Sequence, residues 1–176
     1  MTSVPTLPHD PLWPRAGDWP APATASARRW DAVVVGAPAA KTSLSPTGAD
    51  PTPTAVRAAL RRFSPTLLGP PAVDLSDELR TADTGDVPGP DGPAGEAELR
   101  ERTTGLAASA NLVVALGGEV TYAVAQGSDA TGLITLDAHL DLRDGISNGS
   151  PVRRAALCVL ALLAALPAGT ARKETR

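Results

Sequence analysis

Cysteine is almost absent from this chain. Cys158 stands alone, which excludes an internal disulfide and fits a reducing compartment. Aromatics are scarce too: with three Trp, one Tyr and one Phe, any core must be packed from Ala, Val and Leu. No apolar run is long. The longest, residues 155–166, falls well short of the roughly 20 residues that span a bilayer. The N-terminus, MTSVPTLPHDPLWPRAGDWP, has no apolar signal core, so export is not expected. Basic charge is not in excess either. A formal net charge of −3 leaves no electrostatic footprint for nucleic acid. These absences together predict a soluble cytoplasmic protein with neither nucleic-acid nor membrane partners.

Pro and Gly are plentiful, 18 and 16, and they cluster. Residues 1–30 are Pro-rich and hold all three Trp, which reads as an irregular arm anchored by Trp to the body or to another subunit, so a homo-oligomer stays open. The run DAVVVGAP at 31–38 is β-branched and ended by Gly and Pro, the pattern of a buried parallel strand. After a Ser/Thr/Pro/Gly loop, TAVRAALRRF at 54–63 predicts a helix with Val56, Leu60 and Phe63 as its apolar stripe and the Arg residues off it. Within the broken stretch 64–93, DLSD at 74–77 suits a short helix and LRTADTGD at 79–86 an edge strand. A helix over 95–110, a buried strand over 111–118, a short helix over 122–126 and a third buried strand over 132–137 complete the pattern. Alternating strands and helices predict an α/β domain with a parallel sheet and right-handed crossovers.

The chemistry concentrates just after the third strand, in Asp137-Ala-His139-Leu-Asp141. In an extended chain, alternate residues point to one side. Two carboxylates and an imidazole would converge at the strand's C-terminal end, where open parallel sheets place ligands. Mixed oxygen and imidazole donors suit Mn, Fe or Zn better than Ca or Mg. Taken bare, the same spacing equally describes a polar strand end whose acids are only solvated.

The flanking residues favour the first reading. LDAHLDLR at 136–143 followed by SNGSP at 147–151 resembles the signature of the ureohydrolases, the arginase and agmatinase family, and is most similar to its formimidoylglutamase branch. The VVVGAP run at 33–38, the TGAD loop at 47–50, the AVRAAL helix at 55–60 and VVALGG at 113–118 resemble the family's opening elements. The resemblance spans roughly residues 30–154. It implies a three-layer α/β/α fold with a parallel sheet, a pair of Mn2+ ions, and hydrolysis of a linear amidine or guanidine by a metal-held hydroxide. It further implies that Asp137 bridges the metals while His139 and Asp141 each bind one. Arg143 would then pair with a substrate carboxylate, or else be an ordinary surface Arg; Ser147 and Asn148 would line the substrate pocket, or else make an ordinary turn.

Two departures limit the resemblance. The family's first ligand motif carries His after a Gly pair, whereas here the chain reads Gly117-Gly118-Glu119-Val120-Thr121-Tyr122. Glu119 is a weak substitute oxygen donor, and a shortened loop without a ligand is the plainer reading. The family's later Asp-rich strand also has no counterpart after Asp141. The sequence thus divides into an arm at 1–30, a ureohydrolase-like domain at 31–154 and an apolar tail at 155–176. The tail is apolar on every side, as in a buried helix, and suits a truncation or a changed reading frame near residue 155. With half the ligands missing, one metal ion or fewer is expected. The expected function is formimidoylglutamate hydrolysis, impaired or lost in this chain; an arginase- or agmatinase-type activity and a non-catalytic binding module are the alternatives.

Overall fold

The structure, a computed structural model, describes residues 12–22, 28–118, 120–128, 134 and 140–165, without the side chains of 158, 159 and 161–165. Its first element is the strand β1, Trp30–Ala37. The helix α1 follows at Thr52–Leu60, then a short antiparallel pair, β2 at Thr66–Leu67 and β3 at Val73–Asp74. A single turn, α2, covers Leu75–Glu78, and the strand β4 covers Thr81–Asp86. The long helix α3, Gly92–Ser109, leads directly into β5, Ala110–Gly117. Two further helices are α4, Thr121–Gly127, and α5, Pro151–Ala165.

β4, β1 and β5 form a parallel sheet in that order, with the first strand in the middle. Alternation along β1 assigns its faces. Val33, Val35 and Ala37, each 0% exposed, point one way; Val35 and Ala37 pack with Leu99 of α3 and Ala123 of α4, and Val33 packs with Ala82 of β4 and Leu106 of α3. On the other face Gly36 lies so close to Pro53 of α1 and to Asp86 that a Cβ there would collide with both. Helices therefore cover both faces, the α/β/α layering expected from the sequence. Each buried Val contributes roughly 1.5–3 kcal/mol, and with so few aromatics in the chain such contacts are the core.

Several elements depart from their expected outlines. α1 ends at Leu60, so Phe63 falls in the following turn, out of helical phase and 61% exposed; Pro53, in the first turn, is the helix's buried residue. Arg57, expected to lie off the packing face, turns towards β4. Its Nε donates to Oδ2 of Asp83 at 2.6 Å and its Nη1 to Oδ1 of Asp86 at 2.5 Å. β5 is only partly covered: Leu112 is 54% exposed, and among the described residues β1 is the strand it pairs with. The third strand expected at 132–137 lies outside the described residues.

The N-terminal segment is docked on the sheet's edge rather than free. Ala16 N donates to Phe63 O at 3.0 Å, and Pro20 O accepts from Asp83 N at 2.9 Å, covering part of the exposed edge of β4. Trp19 and Trp30 line a cleft of about 500 Å³ there, and the Arg80 guanidinium sits 4.8 Å from the centroid of Trp30, which opens β1. Trp13 is 70% exposed. No helix of the described residues is long and apolar enough to cross a membrane.

Candidate functional site

The segment 140–150 is irregular and held by its own backbone. Asp141 takes φ of 50°, in the left-handed region that Asp tolerates better than most residues. Its carbonyl accepts from Arg153 N at 3.1 Å, and two residues on, Arg143 N donates to Gly149 O at 2.9 Å. Inside that loop the Ser147–Ser150 turn closes on itself. Ser147 N donates to Ser150 Oγ at 3.0 Å, Ser150 Oγ donates to Ser147 O at 2.9 Å, and Gly149 N donates to Ser147 Oγ at 3.3 Å. The loop after β1 is tied to this turn by Leu44 N, which donates to Asn148 Oδ1 at 3.1 Å.

Between the two loops lies a cleft of about 670 Å³, with Leu44 and Thr47 on one wall and Asp141, Arg143 and Asn148 on the other. One wall is the loop that leaves the C-terminal end of β1, the end where open parallel sheets hold their ligands. Among the described residues, neither the Asp141 carboxylate nor the Arg143 guanidinium is spent on an ion pair.

Of the residues singled out from the sequence, the structure gathers Asp141, Arg143 and Asn148 around one cleft. Ser147 sits apart: it is 9% exposed and its hydroxyl accepts from the Gly149 amide, so it builds the turn and does not line the cleft. Asp137, His139 and Glu119 lie outside the described residues. Among the described residues no group of three His, Cys, Asp or Glu side chains converges. Among the described residues that line the cleft, Asp141 supplies the carboxylate, a hard oxygen donor of the kind Mn2+ accepts.

Two polar clusters carry no local signal in the sequence, because their members are far apart along the chain. Arg154, in the first turn of α5, grips Glu96 of α3 with both guanidinium ends, its second nitrogen donating to Oε2 at 2.6 Å. The same guanidinium lies 3.9 Å from the centroid of the Tyr122 ring on α4. The Glu96 hydrogen bonds outweigh burial and hold the Arg154 guanidinium above its ordinary range. In the second cluster Asp91 accepts from Ala40 N at 2.9 Å and Lys41 N at 2.6 Å, fixing the base of the loop that forms the cleft's far wall.

A parallel sheet covered on both faces, with a cleft beyond its first strand, defines an open α/β protein. The model of the arginase family matches residues 30–167, and the chain belongs to that family. It is 33% identical over 148 residues to a formimidoylglutamase of Halobacterium salinarum, covering 77% of this chain and 47% of that one. Formiminoglutamase of Trypanosoma cruzi, solved with Mn2+, superposes with a TM-score of 0.64 at 25% identity, covering 81% of this chain and 52% of that one. Formimidoylglutamase of Bacillus subtilis gives a TM-score of 0.66 at 22% identity, over 88% and 51%. The chain therefore spans about half the length of the relatives it matches.

Proposed function

We propose that this chain carries the N-terminal part of a metal-dependent amidine hydrolase of the formimidoylglutamase type. The observation that carries the reading is the meeting, in one cleft, of the Asp141 carboxylate and the Arg143 guanidinium. Asp137, His139 and Asp141 are the residues that would hold Mn2+, the ion with which the Trypanosoma cruzi relative was solved. When bound, the metal supplies a water acidic enough to attack an amidine carbon at neutral pH. Arg143 binds a substrate carboxylate through its planar fork and so orients the amidine end towards Asp141. Asn148, its Oδ1 already taken by Leu44 N, keeps its amide protons for a substrate oxygen. Glu119 is at most a supplementary oxygen donor. The lone Cys158 and the lack of basic excess go with a cytoplasmic setting and a small-molecule substrate.

Three candidate donors are fewer than a two-metal centre needs, so these 176 residues alone should turn over far more slowly than the roughly 1–1000 per second of typical enzymes. Binding is therefore the sharper test. Titration calorimetry with Mn2+ present should show formimidoylglutamate binding more tightly than agmatine, which has no carboxylate, and Arg143→Met should erase the difference. Equal affinity for the two ligands in the unaltered chain would favour an agmatinase-type reading; binding of neither would leave a non-catalytic module.

A further inference from the structure

We propose that Arg154 is a positioning residue, which sets the Asp141 loop of the proposed site by clamping the start of α5 onto α3 and α4. The inference rests on the reading of Asp141 as a ligand-bearing residue. Its geometry starts from Asp141, whose carbonyl accepts from the amide of Arg153, the residue next to Arg154. Wherever the first turn of α5 goes, the backbone of Asp141 is drawn with it. That turn is held by the side chain of Arg154. The pair it makes with Glu96 is well covered, with side chains 18% and 14% exposed, and the Tyr122 ring closes the other face of the guanidinium. Tyr122 is the second residue of α4 and stands three positions after the candidate Glu119 in the sequence, so the guanidinium that braces the Asp141 loop also touches the start of α4.

The placement runs against helix electrostatics. A cation in a first turn faces the positive end of the helix dipole, and α5 has no acid in that turn to offset it. The adjacent Arg153 is also cationic and pairs with Asp144 of the loop at 2.6 Å. Helix stability alone would select the opposite charge at 153 and 154. What the two arginines gain is fixed geometry: one holds the loop's own backbone and an acid within it, the other holds the helix to its neighbours. A fork clamped by a bidentate carboxylate and a ring face tolerates less displacement than a single ammonium would, so Lys is not an equivalent residue here.

The test uses the full 176-residue chain and two readouts. Amide hydrogen exchange at Arg153 and Arg143 reports the loop directly, without metal. Mn2+ titration followed by the free-ion EPR signal reports the ligand. For Arg154→Lys, and for Glu96→Gln should the first variant fold poorly, exchange at both amides should quicken at least tenfold and Mn2+ affinity should fall about 10–100-fold, the usual effect of losing a group that supports a ligand. Arg57→Lys, which loosens the comparable clamp between α1 and β4, should lower the melting temperature and leave both readouts unchanged. Unaltered exchange at Arg153 and Arg143 in folded Arg154→Lys and Glu96→Gln overturns the inference, as does an equal response to Arg57→Lys. Quickened exchange in a chain that binds no Mn2+ even unaltered would uphold the clamp and overturn the metal reading of the loop.

Discussion

Arg57 holds Asp83 by two parallel hydrogen bonds, Nε to Oδ2 at 2.6 Å and Nη2 to Oδ1 at 2.8 Å, and so fastens α1 to the end of β4. The same guanidinium reaches Asp86, where Gly36 leaves room for the carboxylate. Replacing Arg57 by Leu leaves two partly covered carboxylates side by side without a cation. A loss of about 1.5–3 kcal/mol is expected, the range for hydrogen bonds to charged groups, read from urea unfolding.

The same pair gives the fold an acid dependence. Burial works to raise the Asp83 carboxyl, but its hydrogen bonds to Arg57 and the Gly85 amide, with the charge of Arg57, outweigh it and hold the group below its ordinary value. A lowered folded-state value means that the carboxylate's contribution is fully present above the unfolded value of about 3.9 and is lost as pH falls through the folded one. Asp83→Asn should therefore flatten stability against pH below about pH 4, and a slope equal to that of the unaltered chain would count against the pair's role.

Two glycines of α3 should respond to Ala in opposite directions. Gly105 is exposed with nothing near its missing Cβ, so Gly105→Ala should stabilise by about 0.4–1 kcal/mol through the unfolded chain's lost freedom. Gly95 is buried against the backbone of Gly89 and Pro90, and a Cβ there would strike main-chain atoms that cannot swing away. Gly95→Ala should cost about 1–3 kcal/mol, as overpacking does. Thermal melts of the two variants, run side by side, give the comparison.

Asp141 sets backbone strain against chemistry. At φ of 50° a glycine is at ease, so Asp141→Gly should leave stability unchanged or raise it by up to about 1 kcal/mol, while Asp141→Ala should lower it by about as much. Both should abolish Mn2+ binding in the free-ion EPR titration. An Asp141→Gly chain that still holds Mn2+ as tightly would remove Asp141 from the proposed ligand set.

Dialysis of the chain against Mn2+ and metal analysis should find one ion or fewer per chain, since Asp137, His139 and Asp141 are the strong candidate donors in the sequence. Two firmly held ions would require Glu119, or an acid outside the candidate set, as a further donor.

The sequence displayed its strands and helices plainly where burial imposes a period. VVV at 33–35 and LVVAL at 112–116 marked β1 and β5, and even the short helix near 75 and the edge strand at 81–86 were legible from turn residues. Phe63 was misplaced because a helix end, not apolar spacing, decides which way it faces. Of the cleft's residues, Asp141 and Arg143 could be picked out because both fall in the local pattern that begins at Asp137. The Glu96–Arg154 clamp could not, because it joins residues 58 apart and each alone looks like a surface charge. Ser147 was ambiguous for a related reason: a hydroxyl offers the same atoms to a substrate and to its own turn, and here Gly149 N claims it.

The central place of the first strand has a consequence for how the chain is made. β1 pairs with β5 from Trp30↔Ala110 onward, so about 80 residues must follow it before its second edge has a partner. At roughly 5–20 residues per second on a ribosome, that is about 4–16 seconds during which at least one edge of β1 has no strand beside it. Through that interval Val33, Val34 and Val35 lack their full cover, which makes the order of synthesis a source of aggregation risk that the finished fold does not carry.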